Sequence, residues 1–247
     1  HALAAAAELG PERLVVVTGH GGEEVAAAAQ EFDPTIAIAV QEEQKGTAHA
    51  VLQAAPALEG FEGDAVVLYG DTPLIRPETL ARMSEARRSG ADVVVLGFHA
   101  AEPGAYGRLI LGPGGELEAI VEAAEATPDQ LRETLCNSGL LAADAPTLLS
   151  LLGEVRADNA QGEYYLTDIV ALARARGLRA EAVICDEAET LGVNSRAALA
   201  AAEAAFQARA REEALANGVT MTAPETVFFA HDTVIGRDVT IGPNVVF

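Results

Sequence analysis

Short apolar runs alternate with amphipathic stretches along the first two-thirds of the chain. Four runs are rich in aliphatic residues and end in small or polar ones. They cover residues 13–17, 36–40, 65–68 and 91–98. Between them, helical spacing predicts helices over 23–32 and 77–89. Continuous apolar strands separated by helices indicate a mostly parallel sheet buried on both faces. The pattern therefore predicts an α/β fold that binds ligands beyond the carboxyl ends of its strands.

The last part of the chain changes from a long helix to a six-residue repeat. Residues 196–217 are rich in Ala and Glu and contain no Pro or Gly, which predicts one helix closed by Asn217-Gly218. Three hexads then begin at Phe229, Ile235 and Ile241, each with a β-branched residue at its fifth place. Three successive hexads favour the first coil of a left-handed parallel β-helix over an ordinary strand–turn–strand ending. Because one coil cannot bury its own interior, more repeats are expected to follow.

The charge of the chain excludes several classes of function. The 247 residues include 16 Lys and Arg against 37 Asp and Glu, a formal net charge of −21. This acidity argues against binding to nucleic acid or to an anionic membrane surface, since both need clustered basic residues. No apolar run has the length of a transmembrane helix, and no signal peptide is visible. The two cysteines, Cys136 and Cys185, cannot form a disulfide framework, so a cytoplasmic protein is expected.

The first stretch with candidate chemistry follows the apolar run at 65–68. Tyr69-Gly70 leads into Asp71, at the predicted carboxyl end of a strand. A single carboxylate there suits Mg²⁺, which takes one or two protein oxygens and completes its shell with water and substrate phosphate. The alternative is that Asp71 only begins a turn, with Pro73 two residues further on, and the spacing leaves both interpretations open.

A polar loop before the next helix is the second candidate. Gly46-Thr47 starts that helix, where backbone N–H groups can bind an anion or the edge of a base. Lys45 is the only lysine of the chain and is more simply a solvated loop residue, while Gln41 could be an amide that caps the loop. His49 is left without a role, because a histidine on such a helix is more often a packing residue than a ligand.

Four further polar stretches are weak when taken alone, since turn chemistry or helix capping explains each of them. They are Tyr106-Gly107-Arg108 followed by Ile120-Val121-Glu122, Asn137-Ser138-Gly139, 159–168 with two of the four tyrosines, and Gly192-Val193-Asn194. An ionised Glu122 only accepts hydrogen bonds, so it suits sugar hydroxyls. No Cys and His spacing typical of zinc and no G-x-S-x-G elbow occurs.

Taken in order, these stretches resemble the family of bifunctional N-acetylglucosamine-1-phosphate uridyltransferase/glucosamine-1-phosphate acetyltransferases. The resemblance covers the whole chain, including the change to hexads. Its most specific parts are the domain order and the string Gly-Glu-Tyr-Tyr-Leu-Thr-Asp at 162–168. Gly19-His20-Gly21-Gly22 and the segments 44–50 and 68–74 also match. The Tyr-Gly-Asp and Gly-Thr pieces are shared more widely among sugar-nucleotide pyrophosphorylases.

The resemblance implies a domain order. A Rossmann-like nucleotidyltransferase (pyrophosphorylase) domain, truncated at its N-terminus, would span 1–195. A linker helix would span 196–217, and the truncated first coil of the left-handed β-helix acetyltransferase domain would span 218–247. The Gly-rich phosphate loop of the family, with its activating basic residues, would precede His1, and the acetyltransferase site would follow Phe247. The chain alone is therefore expected to be inactive and poorly folded, whereas the intact protein is expected to be a homotrimer.

The resemblance also implies a reaction and its residues. UTP and N-acetylglucosamine 1-phosphate would give UDP-N-acetylglucosamine and pyrophosphate, for peptidoglycan and lipopolysaccharide precursors, and the intact protein would also acetylate glucosamine 1-phosphate with acetyl-CoA. The implied residues are Asp71 and Asn194 for Mg²⁺, Gln41, Gly46 and Thr47 for the uracil and its ribose, Tyr69 and Gly70 for the nucleotide sugar, and Gly107, Glu122 and Asn137 for the N-acetylglucosamine. Where the family tends to have a lysine two residues after Glu122, this chain has Ala124.

Two alternatives stay open. One is a uridylyl- or thymidylyltransferase for a different sugar 1-phosphate. The other is a non-catalytic module that binds a nucleotide sugar or assists assembly, which the missing Gly-rich loop suggests.

Overall fold

The structure is a computed structural model that describes residues 1–19, 21–159 and 161–247. His20 and Ala160, which belong to two of the matching stretches, lie outside the described residues. The helices are α1 (Ala2–Ala7), α2 (Glu23–Phe32), α3 (Thr47–Leu52), α4 (Pro77–Arg88), α5 (Ala145–Leu152), α6 (Asp168–Ala175) and α7 (Arg196–Ala216). The strands are β1 (Val15–Thr18), β2 (Ala37–Val40), β3 (Asp64–Val67), β4 (Val93–His99), β5 (Arg108–Leu111), β6 (Leu117–Val121), β7 (Leu135–Asp144), β8 (Ala180–Cys185), β9 (Thr220–Met221) and β10 (Thr240–Ile241).

The chain divides into two units. The larger holds residues 2–69 and 75–187, and the smaller holds residues 70–74 and 188–247 together with His1. The predicted domain boundaries after residues 195 and 217 stay predictions.

The larger unit contains a six-stranded sheet of order β6-β5-β7-β4-β8, in which β3 also pairs with β7. Strands β4 and β8 pair in parallel, but β7 pairs antiparallel with β3, β4 and β5. The predicted α/β class is confirmed, whereas the expectation of a mostly parallel sheet is wrong for this sheet. An apolar run indicates that a strand is buried on both faces, but it does not indicate the direction of the strand. The sequence therefore could not show that β7 runs antiparallel between β3 and β4. Because β3 and β4 are both antiparallel to β7, they run the same way, and their carboxyl ends lie at one edge.

Strands β1 and β2 form a separate parallel pair, with Val15 opposite Ala37 and Thr18 opposite Val40. Helix α2 connects them and begins and ends where its spacing predicted. The backbone N–H of Gln41 donates to the carbonyl of Thr18 at 2.8 Å. Gln41 is thereby held at the carboxyl end of β2.

Two apolar clusters cover the two faces of the six-stranded sheet. Val93 and Val95 of β4 belong to the cluster that includes α5 and α6, whereas Val94 and Leu96 belong to the cluster that includes α4. This alternation follows from the two-residue period of a strand. Cys136 and Cys185 are free and buried, and both lie opposite Phe98, on either side of β4.

In the smaller unit, α7 begins at a cap in which the Ser195 hydroxyl accepts from the Ala198 N–H at 3.1 Å. It ends one residue before the predicted position, and Gly218 follows with φ of 91°. Thr220 of β9 then pairs in parallel with Thr240 of β10, and Phe228 bridges Val246 in the same sense.

The first residues of all three hexads contribute to the apolar cluster beneath these strands. Phe229 and Ile241 are buried there, and Ile235 packs against them. Gln207 of α7, 3 % exposed, accepts from the Phe229 N–H at 2.9 Å and donates to the Phe229 carbonyl at 2.8 Å. Parallel pairing over an apolar interior supports the β-helix interpretation, which stays a prediction. Among the described residues, none of the helices combines the length and the apolar character that crossing a membrane requires.

Candidate active site

Two loops of the smaller unit meet at Asp71. The backbone N–H of Val193 donates to the backbone carbonyl of Asp71 at 2.7 Å, so Asn194 follows directly after the residue bound to Asp71. Both side chains are exposed. In the part of the chain that the structure describes, no group of three or more His, Cys, Asp or Glu side chains is placed to hold a metal. One carboxylate and one amide oxygen on adjoining loops fit Mg²⁺, because that ion keeps water and substrate oxygens in most of its shell.

In the larger unit, the loop before α3 is bound to a distant loop. The Ala48 N–H donates to the Tyr164 carbonyl at 2.9 Å, and the Tyr164 N–H donates to the Lys45 carbonyl at 2.8 Å. The Thr47 hydroxyl accepts from the Leu166 N–H at 3.0 Å. Gly46 has φ of 107°, and a Cβ built on it would lie 2.5 Å from the Tyr164 carbonyl oxygen. The loop can therefore adopt this path only with glycine at residue 46.

The Gln41 side chain faces the same loop. Its Nε2 donates to the Gly46 carbonyl at 3.1 Å and lies 2.9 Å from Nδ1 of His49. Lys45, by contrast, is exposed and pairs with Glu43, whose pKa its ammonium group lowers. The interpretation of Lys45 as a solvated loop residue is confirmed.

Tyr69 lies against Gly139. The pairing of Val67 with Leu141 puts these two residues opposite each other beyond the end of β3. A Cβ on Gly139 would lie 2.3 Å from the Tyr69 ring, and the Asn137 side-chain oxygen accepts from the Gly139 N–H at 3.0 Å. Gly70 is exposed, and a Cβ on it would meet no atom within 4 Å, so no packing contact explains the glycine there.

The three residues implied for the sugar are neighbours. The Asn137 N–H donates to the Gly107 carbonyl at 2.8 Å, and a Cβ on Gly107 would lie 3.5 Å from a carboxylate oxygen of Glu122. The other Glu122 oxygen accepts from the Thr167 hydroxyl at 3.2 Å. Glu122 is thus oriented by a residue of the 162–168 string.

A polar cavity of about 190 Å³ opens beside Glu122. Its charged and phenolic lining is Glu122, Glu125, Arg156, Asp158, Tyr165 and Asp168. Burial raises the pKa of Asp168, and the Glu125 and Glu122 carboxylates raise it further. Burial also raises the pKa of Tyr165, with a smaller effect from Glu163. Arg156 is the one basic side chain among the described residues that line this cavity.

The raised pKa of Asp168 predicts a pH-dependent difference between the wild type and Asp168→Asn. Below pH 3.8, the ordinary pKa of an aspartate carboxyl, the group is protonated in both the folded and the unfolded chain. Above it, the unfolded chain loses the proton first, which lowers the stability of the wild-type fold until the folded carboxyl also ionises. The free energy of unfolding of Asp168→Asn relative to the wild type should therefore rise with pH across this window and then level off.

Urea unfolding at a series of pH values measures this difference. Asp129→Asn is the matched control, because Asp129 is exposed and paired with Arg132. A difference between Asp168→Asn and the wild type that stays constant or falls with rising pH would contradict the prediction.

Sequence reasoning missed two residues that hold the site together. The sequence assigns no role to His49, although its ring contacts Gln41 in the structure. Thr167 belongs to the 162–168 string, and its hydroxyl donates to Glu122, a role that the string alone does not assign. Its position within the string that carries the resemblance was the available signal.

The class of protein follows from comparison with known families. Residues 1–216 match the model of the MobA-like NTP transferase domain, and the chain belongs to this family. The predicted nucleotidyltransferase class is confirmed.

Curated relatives give a finer comparison. The chain is 63% identical over 237 residues to "Bifunctional protein GlmU" of Cereibacter sphaeroides (strain ATCC 17025 / ATH 2.4.3), which covers 96% of the chain and 52% of that protein. It is 57% identical over 247 residues to the protein of the same name in Roseobacter denitrificans (strain ATCC 33942 / OCh 114), covering 100% of the chain and 54% of that protein. The chain spans about half the length of the curated relatives it matches. The resemblance stated from the sequence is confirmed.

Proposed function

We propose that this chain carries a uridyltransferase site, at which UTP and N-acetylglucosamine 1-phosphate give UDP-N-acetylglucosamine and pyrophosphate. One observation supports this most directly. Segment 164–167 binds the loop of Gly46 and Thr47 on one side and Glu122 on the other. A single segment thereby joins the residues proposed for the nucleotide to those proposed for the sugar.

The base would bind at Gln41, Gly46 and Thr47. The Gln41 amide can accept from the imide N–H of uracil, and the absence of a side chain at Gly46 lets the base approach the backbone. Gly70 offers the same close approach beyond the end of β3, since a Cβ built on it would meet no atom within 4 Å apart from its chain neighbours.

The sugar would bind at Gly107, Glu122 and Asn137. Both Glu122 oxygens face Gly107, at 3.5 and 3.6 Å from the position of a Cβ there. Thr167 donates to Oε1, so Oε2 is the oxygen proposed to accept from a sugar hydroxyl. The amide of Asn137 can donate to a carbonyl or hydroxyl oxygen beside it.

The reaction needs no nucleophile from the protein. A phosphate oxygen of the sugar phosphate forms the new bond to the α-phosphorus, and the bond from that phosphorus to the β-phosphate bridge breaks as pyrophosphate leaves. The residues of this chain hold the two substrates in line, which supplies much of the rate. Asp71 and Asn194 would hold Mg²⁺, which when bound neutralises phosphate charge.

The intact protein is proposed to have further properties. The hexads, the parallel pairing of β9 with β10 and the word "bifunctional" in the relatives' name support a second, acetyltransferase activity with acetyl-CoA and glucosamine 1-phosphate. Assembly as a homotrimer in the cytoplasm and a role in cell-wall precursor synthesis are part of the same proposal.

Pyrophosphate release by the intact protein tests the proposal. UTP, CTP and dTTP are each combined with N-acetylglucosamine 1-phosphate, glucosamine 1-phosphate or glucose 1-phosphate, with and without Mg²⁺. Turnover should be fastest with UTP and the N-acetylated sugar and should require the metal. A preference for another pair supports a different sugar-1-phosphate nucleotidyltransferase, and calorimetric binding of UDP-N-acetylglucosamine without turnover supports a non-catalytic module.

A further inference from the structure

The imidazole of His49 contacts the amide proposed to bind the base. His49 is half-buried on α3, and its Nδ1 lies 2.9 Å from Nε2 of Gln41. We propose that His49 is a positioning residue that fixes the orientation of the Gln41 amide and thereby favours uracil over cytosine. This inference rests on the proposed function for the place of the base.

The hydrogens of the Gln41 amide group are both used within the protein. One is donated to the Gly46 carbonyl, and the other points to Nδ1 of His49. An NH₂ group has only these two hydrogens, so the remaining capacity of the Gln41 side chain is that of its carbonyl oxygen, an acceptor. Turning the amide over would set that oxygen against the Gly46 carbonyl, and Gln41, at 8 % exposed, has little water to compensate.

The arrangement also fixes the tautomer of His49. A neutral imidazole accepts at one nitrogen and donates at the other. Gln41 is closer to Nδ1 than Gln53 is to Nε2, at 2.9 Å against 3.3 Å. The Gln53 amide nitrogen has a better acceptor in the His49 backbone carbonyl, at 2.9 Å. Nδ1 therefore accepts from Gln41, and the ring hydrogen is on Nε2.

Uracil and cytosine differ at the position that such an amide contacts. N3 of uracil carries a hydrogen and donates, whereas N3 of cytosine accepts and its neighbouring amino group donates. An amide free to rotate could serve either base by presenting its oxygen or its nitrogen. Held by the Gly46 carbonyl and by His49, the Gln41 side chain presents only an acceptor. Without the His49 acceptor, only the Gly46 carbonyl holds the Gln41 amide in this orientation. The preference for UTP over CTP should therefore fall by about tenfold.

The experiment compares UTP with CTP in the intact protein. Values of kcat and KM are measured at saturating N-acetylglucosamine 1-phosphate for the wild type, His49→Leu and His49→Asn. Leucine removes the acceptor, and asparagine restores a side-chain oxygen near the position of Nδ1. In His49→Leu, the ratio of kcat/KM for UTP to that for CTP should fall about tenfold, mainly through a higher KM for UTP. His49→Asn should recover most of the ratio.

Gln53→Leu is the matched control. It removes the neighbour of Nε2 and should leave the UTP to CTP ratio within about twofold of the wild type. Should His49→Leu fail to give a cooperative thermal transition, His49→Phe replaces it, because phenylalanine keeps a planar ring without nitrogen.

Three results bear on the inference in different ways. An unchanged ratio in a folded His49→Leu or His49→Phe protein overturns it, as does an equal loss of ratio in His49→Asn. A wild type that turns over N-acetylglucosamine 1-phosphate with no preference for UTP overturns the proposed function itself. That outcome is seen in the wild type alone, before any variant is compared.

Discussion

Replacing Gly46 by alanine should lower pyrophosphate release by the intact protein at least about a hundredfold and destabilise it by about 3 kcal/mol. The Cβ would lie 2.5 Å from the carbonyl oxygen of Tyr164 and 2.8 Å from its nitrogen. Neither atom can move freely, because the oxygen accepts from Ala48 and the nitrogen donates to Lys45. The loop of Gly46 and Thr47 must then separate from segment 164–167. This segment would no longer connect the residues proposed for the nucleotide to those proposed for the sugar. Urea unfolding and initial rates measure the two effects.

Gly60→Ala is the control that separates two effects of Gly46→Ala, the clash of the Cβ with Tyr164 and the strain of a positive φ. Gly60 also has a positive φ, of 68°, but a Cβ on it would meet no atom within 4 Å. It should cost only about 1 kcal/mol, the strain of a left-handed conformation, with unchanged activity. If Gly46→Ala proves as mild as Gly60→Ala, the close packing of the two loops is not what fixes residue 46.

Asp71→Asn should reduce turnover of the intact protein by about a thousandfold. Asparagine keeps the size of the side chain, and the bond from Val193 goes to the backbone carbonyl of residue 71, so the loop is retained. The variant loses the negative charge that would hold Mg²⁺ beside Asn194. Pyrophosphate release titrated with Mg²⁺ should show a lower maximum rate and a higher half-saturating concentration, while the free energy of unfolding changes by less than about 0.5 kcal/mol.

The control for Asp71→Asn is a carboxylate of the larger unit that is not among the residues proposed to bind the metal or the substrates. Asp129→Asn removes an equal charge at an exposed ion pair with Arg132 and should leave both the rate and the Mg²⁺ dependence unchanged. Retention of more than a tenth of the wild-type rate in Asp71→Asn, at the same Mg²⁺ concentration, is incompatible with the proposed metal site.

The elements that the sequence predicted well are those whose signals are local. Helix α7 has its cap at Ser195 and its stop at Asn217-Gly218, and both are readable from neighbouring residues. Strand β7 was not predicted, because Asn137-Ser138-Gly139 interrupts its apolar run. Those polar residues lie in the strand since Ser138 binds the Leu96 carbonyl and Asn137 binds Gly139, contacts that no local pattern encodes.

For the candidate site too, the sequence predicted what local signals carry and missed what depends on long-range contacts. Motifs indicated which residues matter, such as Gly46 and Glu122, but not which residues hold them. Thr47 meets Leu166, and Glu122 meets Thr167, across long separations in sequence. The contact of Gln41 with His49 spans one loop, yet it depends on which way an amide is turned. The residue type alone does not carry that information.

The buried amide of Gln207 makes the two edges of the segment at Phe228 and Phe229 unlike. Successive residues of a strand point their backbone groups to opposite edges, so Phe228 binds Val245 and Phe247 on one edge while Phe229 faces the other. There, Gln207 takes both backbone groups of Phe229, as a neighbouring strand would. At Phe229, the Gln207 side chain of α7 therefore occupies the backbone groups of that edge. No further strand can pair with the edge at this residue. In the proposed β-helix, further coils would therefore add on the Val246 side, and α7 would act as a polar cap on the other edge.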